Sequence, residues 1–455
     1  MLPAVAAALV CMIWSCNSKD TALLDSVPVD SKAVAMVNAK DVLSNMGCSF
    51  EKDGLKMSDA LKSVFPFGKL GQIDLSALSA VAKGIDIEKL VIFQPDGMRD
   101  PVMTFIVTDA AEIDNLATKG ENKAQKSEVK GYTVYFSGKQ SVLIKEDRGW
   151  LVQMEPEKAA ETVDGILESA SGEGKSVGSV TALNDFMATT HAAGIVANMA
   201  GSGFGDKDSW TLADVILDGN TMGVNMKWVK STGEEIKQDY FQEIDTDFLR
   251  YVPGDFNLVF AMGVKDGEKL AQAIQGATGM LGFQQRAILG ALIPYLRQVD
   301  GTLSIAMVTP DPNATADIDN LKFIAMVKMP QAKVDEAVSD LNAMLGTYGA
   351  KVEKSGPGYK AVLQGTTFYL ANADGNLAVA TVPIESTRNN SLTSRVQNND
   401  MALSVIIPSL TGYFRGAPSC GVDFSGVLKG NEMMFKCTFT GTKAGFLETL
   451  AVMTK

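Results

Sequence analysis

At 455 residues, with 46 % hydrophobic and 21 % charged residues, the chain has the length of two packed domains and the composition of a globular protein. A formal net charge of −12 without a basic stripe argues against nucleic acid as a partner, because phosphate backbones repel an acidic surface. Five cysteines (Cys11, Cys16, Cys48, Cys420, Cys437), none in a C-x-x-C spacing, and one histidine exclude a disulfide framework and a histidine-rich metal site.

Residues Leu2 to Trp14 form an uncharged, largely apolar run of 13 residues. A membrane-spanning helix needs about 20 residues, whereas the apolar part of a signal peptide needs about 7–15. The run ends in Ile13-Trp14-Ser15-Cys16, which resembles the lipobox of bacterial lipoproteins: an aliphatic residue, a variable one, a small one, then cysteine. Residues 1–15 are therefore expected to be a signal peptide. Cys16 is expected to carry the lipid, and 16–24 to form the tether. The segment departs from the usual signal in having no Lys or Arg ahead of its apolar run. Ser18-Lys19-Asp20 resembles a short Lys-acid tag that directs lipoproteins to the outer surface of some Gram-negative cells. The expected location is the outer membrane, facing either the surface or the periplasm.

Beyond the tether the pattern repeats. Val27-Pro28-Val29-Asp30, an apolar run and Lys40-Asp41 are followed 225 residues later by Val252-Pro253-Gly254-Asp255, a second run and Lys265-Asp266. Each reads as turn, strand and helix start. Pro101 to Val107 and Leu321 to Val327 read as strands, each entering a helix (Ala110 to Ala117; Gln331 to Leu345). Gly131-Tyr132 and Gly358-Tyr359 open strand-rich stretches, and a helix over Glu157 to Ser169 has a shrunken counterpart around Ile384 to Asn390. The expected fold class is α+β, a tandem duplication of one domain over 25–240 and 241–455, with largely antiparallel sheets and helices covering one face.

Both halves end alike, with Leu217-Asp218-Gly219-Asn220-Thr221-Met222 and Leu428-Lys429-Gly430-Asn431-Glu432-Met433. Gly-Asn between alternating runs signals a two-residue hairpin loop. Leu428 then faces Met433, Phe424 faces Cys437 and Val422 faces Phe439, all on one apolar side, with Asp423, Ser425, Lys436 and Thr438 opposite. Leu217 likewise faces Met222, and Val215 faces Val224. Cys420 falls opposite Gly441, about 14 Å along the partner strand from Cys437, whereas bridged Cα atoms lie within about 7 Å. No disulfide is expected there, and Cys437 reads as a core thiol.

No catalytic constellation emerges. His191 precedes an apolar run without a nucleophile motif and reads as structural or surface. Gly172-Glu173-Gly174-Lys175-Ser176 lacks the first glycine of a phosphate-binding loop, because that position is Ser169. Gly201-Ser202-Gly203-Phe204-Gly205 reads as a loop. Asp311, Asn313, Thr315, Asp317 and Asp319 alternate like calcium ligands but lack the turn glycine and distal glutamate. Met222, Met226, Met433 and Met434 have no cysteine or histidine arranged to complete a copper site. No catalytic residue, cofactor or metal is expected.

The lipobox, Val27-Pro28-x-Asp30 with its strand and helix, the Gly-Tyr strand pairs and the terminal hairpin together resemble a family of two-repeat lipoproteins of unknown function from Gram-negative gut-type bacteria. The resemblance implies a location and a fold, and no activity. The expected function is non-enzymatic: a lipid-anchored envelope protein that binds or scaffolds a protein or polymer ligand through the cleft or surface between its domains. The alternative is an envelope hydrolase using carboxylates.

Overall fold

The computed structural model describes residues 21–51, 54–64, 69–70, 73–74, 81–96, 98, 100–119, 123–165, 175–200, 208–237, 239–277, 293, 296–310, 321–347, 349–356, 358–363, 365–386, 391–413 and 419–453. The chain divides into two compact units. The first comprises Met1–Ala200, Gly205–Ile236 and Thr442–Lys455; the second comprises Gly201–Phe204 and Lys237–Gly441.

The first unit carries β1 (Ala33–Val37), β2 (Cys48–Glu51), β3 (Gly54–Met57), β4 (Lys69–Leu70), β5 (Ile73–Asp74), β6 (Ile85–Phe93), β7 (Val102–Val107) and β8 (Gln125–Val129). It continues with β9 (Tyr132–Ser137), β10 (Gln140–Lys145), β11 (Arg148–Gln153), β12 (Ala193–Asn198), β13 (Ser209–Asp218) and β14 (Thr221–Lys230). Strands β2 with β3 and β4 with β5 are separate small hairpins. The others pair antiparallel in the order β8-β9-β10-β11-β7-β6-β1-β12-β13-β14.

The second unit carries β15 (Leu258–Val264), β16 (Gly301–Met307), β17 (Phe323–Lys328), β18 (Lys351–Ser355) and β19 (Gly358–Leu363). It ends with β20 (Thr366–Ala373), β21 (Asn376–Ala380), β22 (Met401–Ile407), β23 (Gly421–Lys429) and β24 (Glu432–Thr440). Their antiparallel order is β18-β19-β20-β21-β17-β16-β15-β22-β23-β24.

Period-2 alternation explains why these segments are strands and where the core lies. In the first unit, Val34, Met36, Val91, Phe93, Val134, Leu143 and Trp150 enter one cluster. Their neighbours along the same strands, Val37, Leu90, Ile92, Tyr135, Val142, Ile144 and Leu151, enter another. Adjacent residues of a strand point to opposite faces, so the sheet is buried on both. Leu23 and Leu24 of the 3-10 helix Ala22–Ser26, with Leu183 and Met187 of the helix Thr181–Met187, cover the first face. Ile113 and Ala117 of the helix Ala110–Lys119 cover the second. Each such leucine, isoleucine or methionine, fully buried, contributes about 1.5–3 kcal/mol. Leu23 and Leu24, placed by sequence in the tether, thus belong to this core.

The second unit is covered the same way. Val259 and Ala261 of β15 pack with Phe248, Leu249 and Val396, whereas Met262 and Val264 pack with Leu270 of the helix Gly267–Ala277. Val334 and Val338 of the helix Gln331–Thr347 close over Leu377.

The expected fold class requires correction. Instead of a tandem duplication of self-contained α+β domains, the strands join one 20-stranded antiparallel sheet. Helices cover both faces and not one, because runs such as Leu90-Val91-Ile92-Phe93 are apolar on both sides of the pleat and each side must leave water. Similar pairing orders therefore do not amount to two separate copies: the C-terminal helix Phe446–Met453 falls in the first unit. Of the counterpart helix expected around Ile384 to Asn390, residues 387–390 lie outside the described residues, and the short helix Thr393–Val396 follows them.

The terminal hairpins have the expected registers: Leu217↔Met222 and Val215↔Val224 in β13–β14, Leu428↔Met433 and Phe424↔Cys437 in β23–β24. Gly219 and Gly430 open the two loops at φ +52 and +64, where a side chain is disfavoured. One-sided coverage fails here too. Trp210 and Leu212 enter the first unit's core from the face opposite Val215, which is also buried.

Candidate functional site

His191 stands just ahead of β12. Its backbone N–H donates to Asp214 Oδ1 at 2.8 Å, and its Nδ1 lies 2.9 Å from Asp214 Oδ2. Asp214, on the neighbouring strand β13, is mostly covered at 13 % side-chain exposure, while the histidine ring is 66 % exposed. The carboxylate pins the start of β12 and orients the ring. An exposed pair of this kind contributes at most about 1 kcal/mol when the ring is charged. The expectation of a surface histidine agrees with this geometry.

The thiols of Cys48, Cys420 and Cys437 are free. Burial pushes the Cys48 thiol up to about 11, with the Glu448 carboxylate adding to the effect. Burial also raises Cys420, and it raises Cys437 with help from Asp423. A nucleophilic cysteine needs the opposite shift, since the thiolate is the reactive form. Cys48 and Cys420 are core thiols, whereas Cys437 is only half-buried.

A bidentate charge pair in the second unit was not foreseen from sequence. Arg395 donates two hydrogen bonds of 2.7 Å to Asp423, one to each carboxylate oxygen, and a third of 3.1 Å to Ser404 Oγ. The helix Thr393–Val396 lays the guanidinium across β22 and β23, and the Arg395 hydrogen bonds hold the Asp423 carboxyl below its usual range. The planar fork fits a carboxylate and leaves little donor capacity for a ligand, so the pair fastens helix to sheet.

Among the described residues, a small cleft of mixed charge lies in each unit. In the first, a cavity of about 230 Å³ lies among Asp100, Lys139, Gln153, Glu155, Lys158 and Thr162. In the second, one of about 270 Å³ lies among Gln298, Met329, Lys333, Glu336, Asp340 and Met344. Drug-sized ligands occupy about 300–1,000 Å³, so either cleft suits a few polar atoms of a larger partner better than a whole small molecule.

Among the described residues no group of three or more His, Cys, Asp and Glu side chains is placed to hold a metal ion. No helix among them is long and apolar enough to cross a membrane. Cys16 with its signal, Gly172 to Gly174, Gly201 to Gly205 and the run Asp311 to Asp319 lie outside the described residues.

No family model matches the sequence, and neither does any curated protein. Two crystal structures of the protein TP0453 are distantly similar. Crystal form IV shares 8 % identity at a TM-score of 0.28, over 45 % of this chain and 79 % of that one. Crystal form III shares 8 % identity at a TM-score of 0.25, over 79 % of this chain and 92 % of that one. Likenesses of this size carry neither fold nor function across.

Proposed function

We propose that the chain is a lipid-anchored protein of the bacterial cell envelope that binds or scaffolds a protein or polymer partner without transforming it. The observation that carries this reading is the apolar run Leu2 to Trp14 ending in Ile13-Trp14-Ser15-Cys16. Acyl chains on Cys16 would insert with about 0.8 kcal/mol per buried CH₂, which anchors without a spanning helix. Leu23 is already buried in the first unit. Seven residues of extended chain span at most roughly 25 Å, so the first unit would be held close to the bilayer.

Fixed charges on the fold are consistent with the binding reading. Asp59, Asp114, Asp266 and Asp423 are held below the ordinary carboxylate range, by Lys62, by Lys126 and Tyr135, by the Lys269 backbone N–H and by Arg395. Such groups are surface or fastening charges that present fixed sign to a partner.

The test is membrane fractionation of the native chain and Cys16→Ala, with crosslinking on intact cells. The native chain should sediment with membranes and crosslink to a discrete partner, while Cys16→Ala stays unprocessed or becomes soluble. Equal membrane partitioning of both, or turnover of an envelope polymer by the purified protein alone, would overturn the reading.

A further inference from the structure

The C-terminal helix Phe446–Met453 has only eight residues, and isolated helices shorter than about 12–15 residues are marginal in water. Its order must come from what it docks on. Two polar clasps hold it, both from the segment 39–64 of the first unit. The first is Asn45: its Oδ1 accepts from Leu447 N–H at 2.8 Å, and its Nδ2 donates to Gly219 O at 2.9 Å. Phe446 N–H donates to the same Gly219 carbonyl at 2.8 Å. Asn45 therefore caps this helix across 402 residues of chain, a role usually filled by the residue just ahead of a helix. The approach leaves no room for a side chain at Gly445, where a Cβ would stand 1.9 Å from Asn45 O.

The second clasp is Ser58, whose hydroxyl donates to the Glu448 carboxylate while accepting from Leu61 N–H at 3.2 Å. The same serine thus starts the helix Asp59–Val64 and secures the C-terminal one. Glu448 is only 8 % exposed, and Thr449 is buried with no hydrogen-bond partner for its hydroxyl. Leu450 meanwhile points outward at 42 % exposure. The helix turns two polar side chains inward and leaves a leucine out, so its buried face is not purely apolar. The helix also buries Phe446 and Met453, and its half-buried Leu447 and Ala451 pack against Val42, Leu43, Cys48, Met57 and Leu61.

We infer that helix 446–453 is a releasable latch over segment 39–64, and that its release, without unfolding of the sheet, uncovers Cys48. A carboxylate turned inward, a buried unpaired hydroxyl and a cap supplied from elsewhere make this dock weaker than the two-faced sheet, so it opens first. Burial keeps the Cys48 thiol protonated and covered while the latch is closed, which makes alkylation of Cys48 a direct measure of opening.

The experiment follows alkylation of each cysteine in the full chain by peptide mass spectrometry, for the native protein, Asn45→Ala and Glu448→Ala. Loss of one clasp should raise the Cys48 rate roughly five- to tenfold, the equivalent of a lost helix cap, and leave Cys420 in the second unit unchanged. An unchanged Cys48 rate in both variants, or a parallel rise at Cys420, would overturn the latch. Should either variant fail to fold, hydrogen exchange on the native chain decides. The amides of 446–453 should exchange well ahead of those of β6, and equal protection would refute the inference.

Discussion

Arg395 and Asp423 lie 28 residues apart in the chain and meet as a bidentate pair that leaves both side chains about a third exposed. Because Arg395 lowers the Asp423 pKa, the pair's contribution is present above the ordinary carboxylate pKa of about 4 and is lost as pH falls through the folded value. Asp423→Asn should cost the second unit about 1 kcal/mol at neutral pH, once solvent screening is allowed for. Denaturant midpoints for native and variant protein should converge as pH drops below about 4. A gap that persists in acid would mean that geometry and not charge holds the helix. Sequence offers no sign of such a pair, since nothing local links Arg395 to a residue two strands on. The unbridged cysteines were legible because they rested on a local fact, a hairpin register that keeps two thiols apart.

At the scale of elements, β23–β24 was legible because Gly430-Asn431 and strict alternation fix which residues face each other. Burial along it was less so. Phe424 and Phe435 stack at 6.3 Å between ring centroids, yet both are half-buried where a full core position was expected. Phe435→Ala should therefore cost about 1–2 kcal/mol, between the full burial term and the stacking term alone. Lys436→Ala, on the exposed side, should stay within about 0.5 kcal/mol. Equilibrium melts of the two variants check the register, and a larger loss from the lysine variant would show the faces exchanged. The helix Phe446–Met453 shows the opposite case. Its apolar composition is plain in the sequence, but its docking depends on Asn45 and Ser58, far away in the chain, so no periodicity could place Glu448 inward.

At the scale of the whole molecule, the two-faced sheet explains why an expectation of one-sided coverage failed. Continuous apolar runs such as Leu90 to Phe93 signal burial on both faces, and weighing them over the alternation of the hairpins would have shown it. The proposed function rests on the chain's other end, where a lipid on Cys16 would join a fold of fixed charges and small clefts to a bilayer. Intact-mass and peptide mass spectrometry of the protein recovered from its own envelope tests that claim most directly. The account expects a mature chain beginning at Cys16, with residues 1–15 removed and acyl groups on the cysteine. A chain that retains residues 1–15, with an unmodified Cys16 thiol, would contradict it.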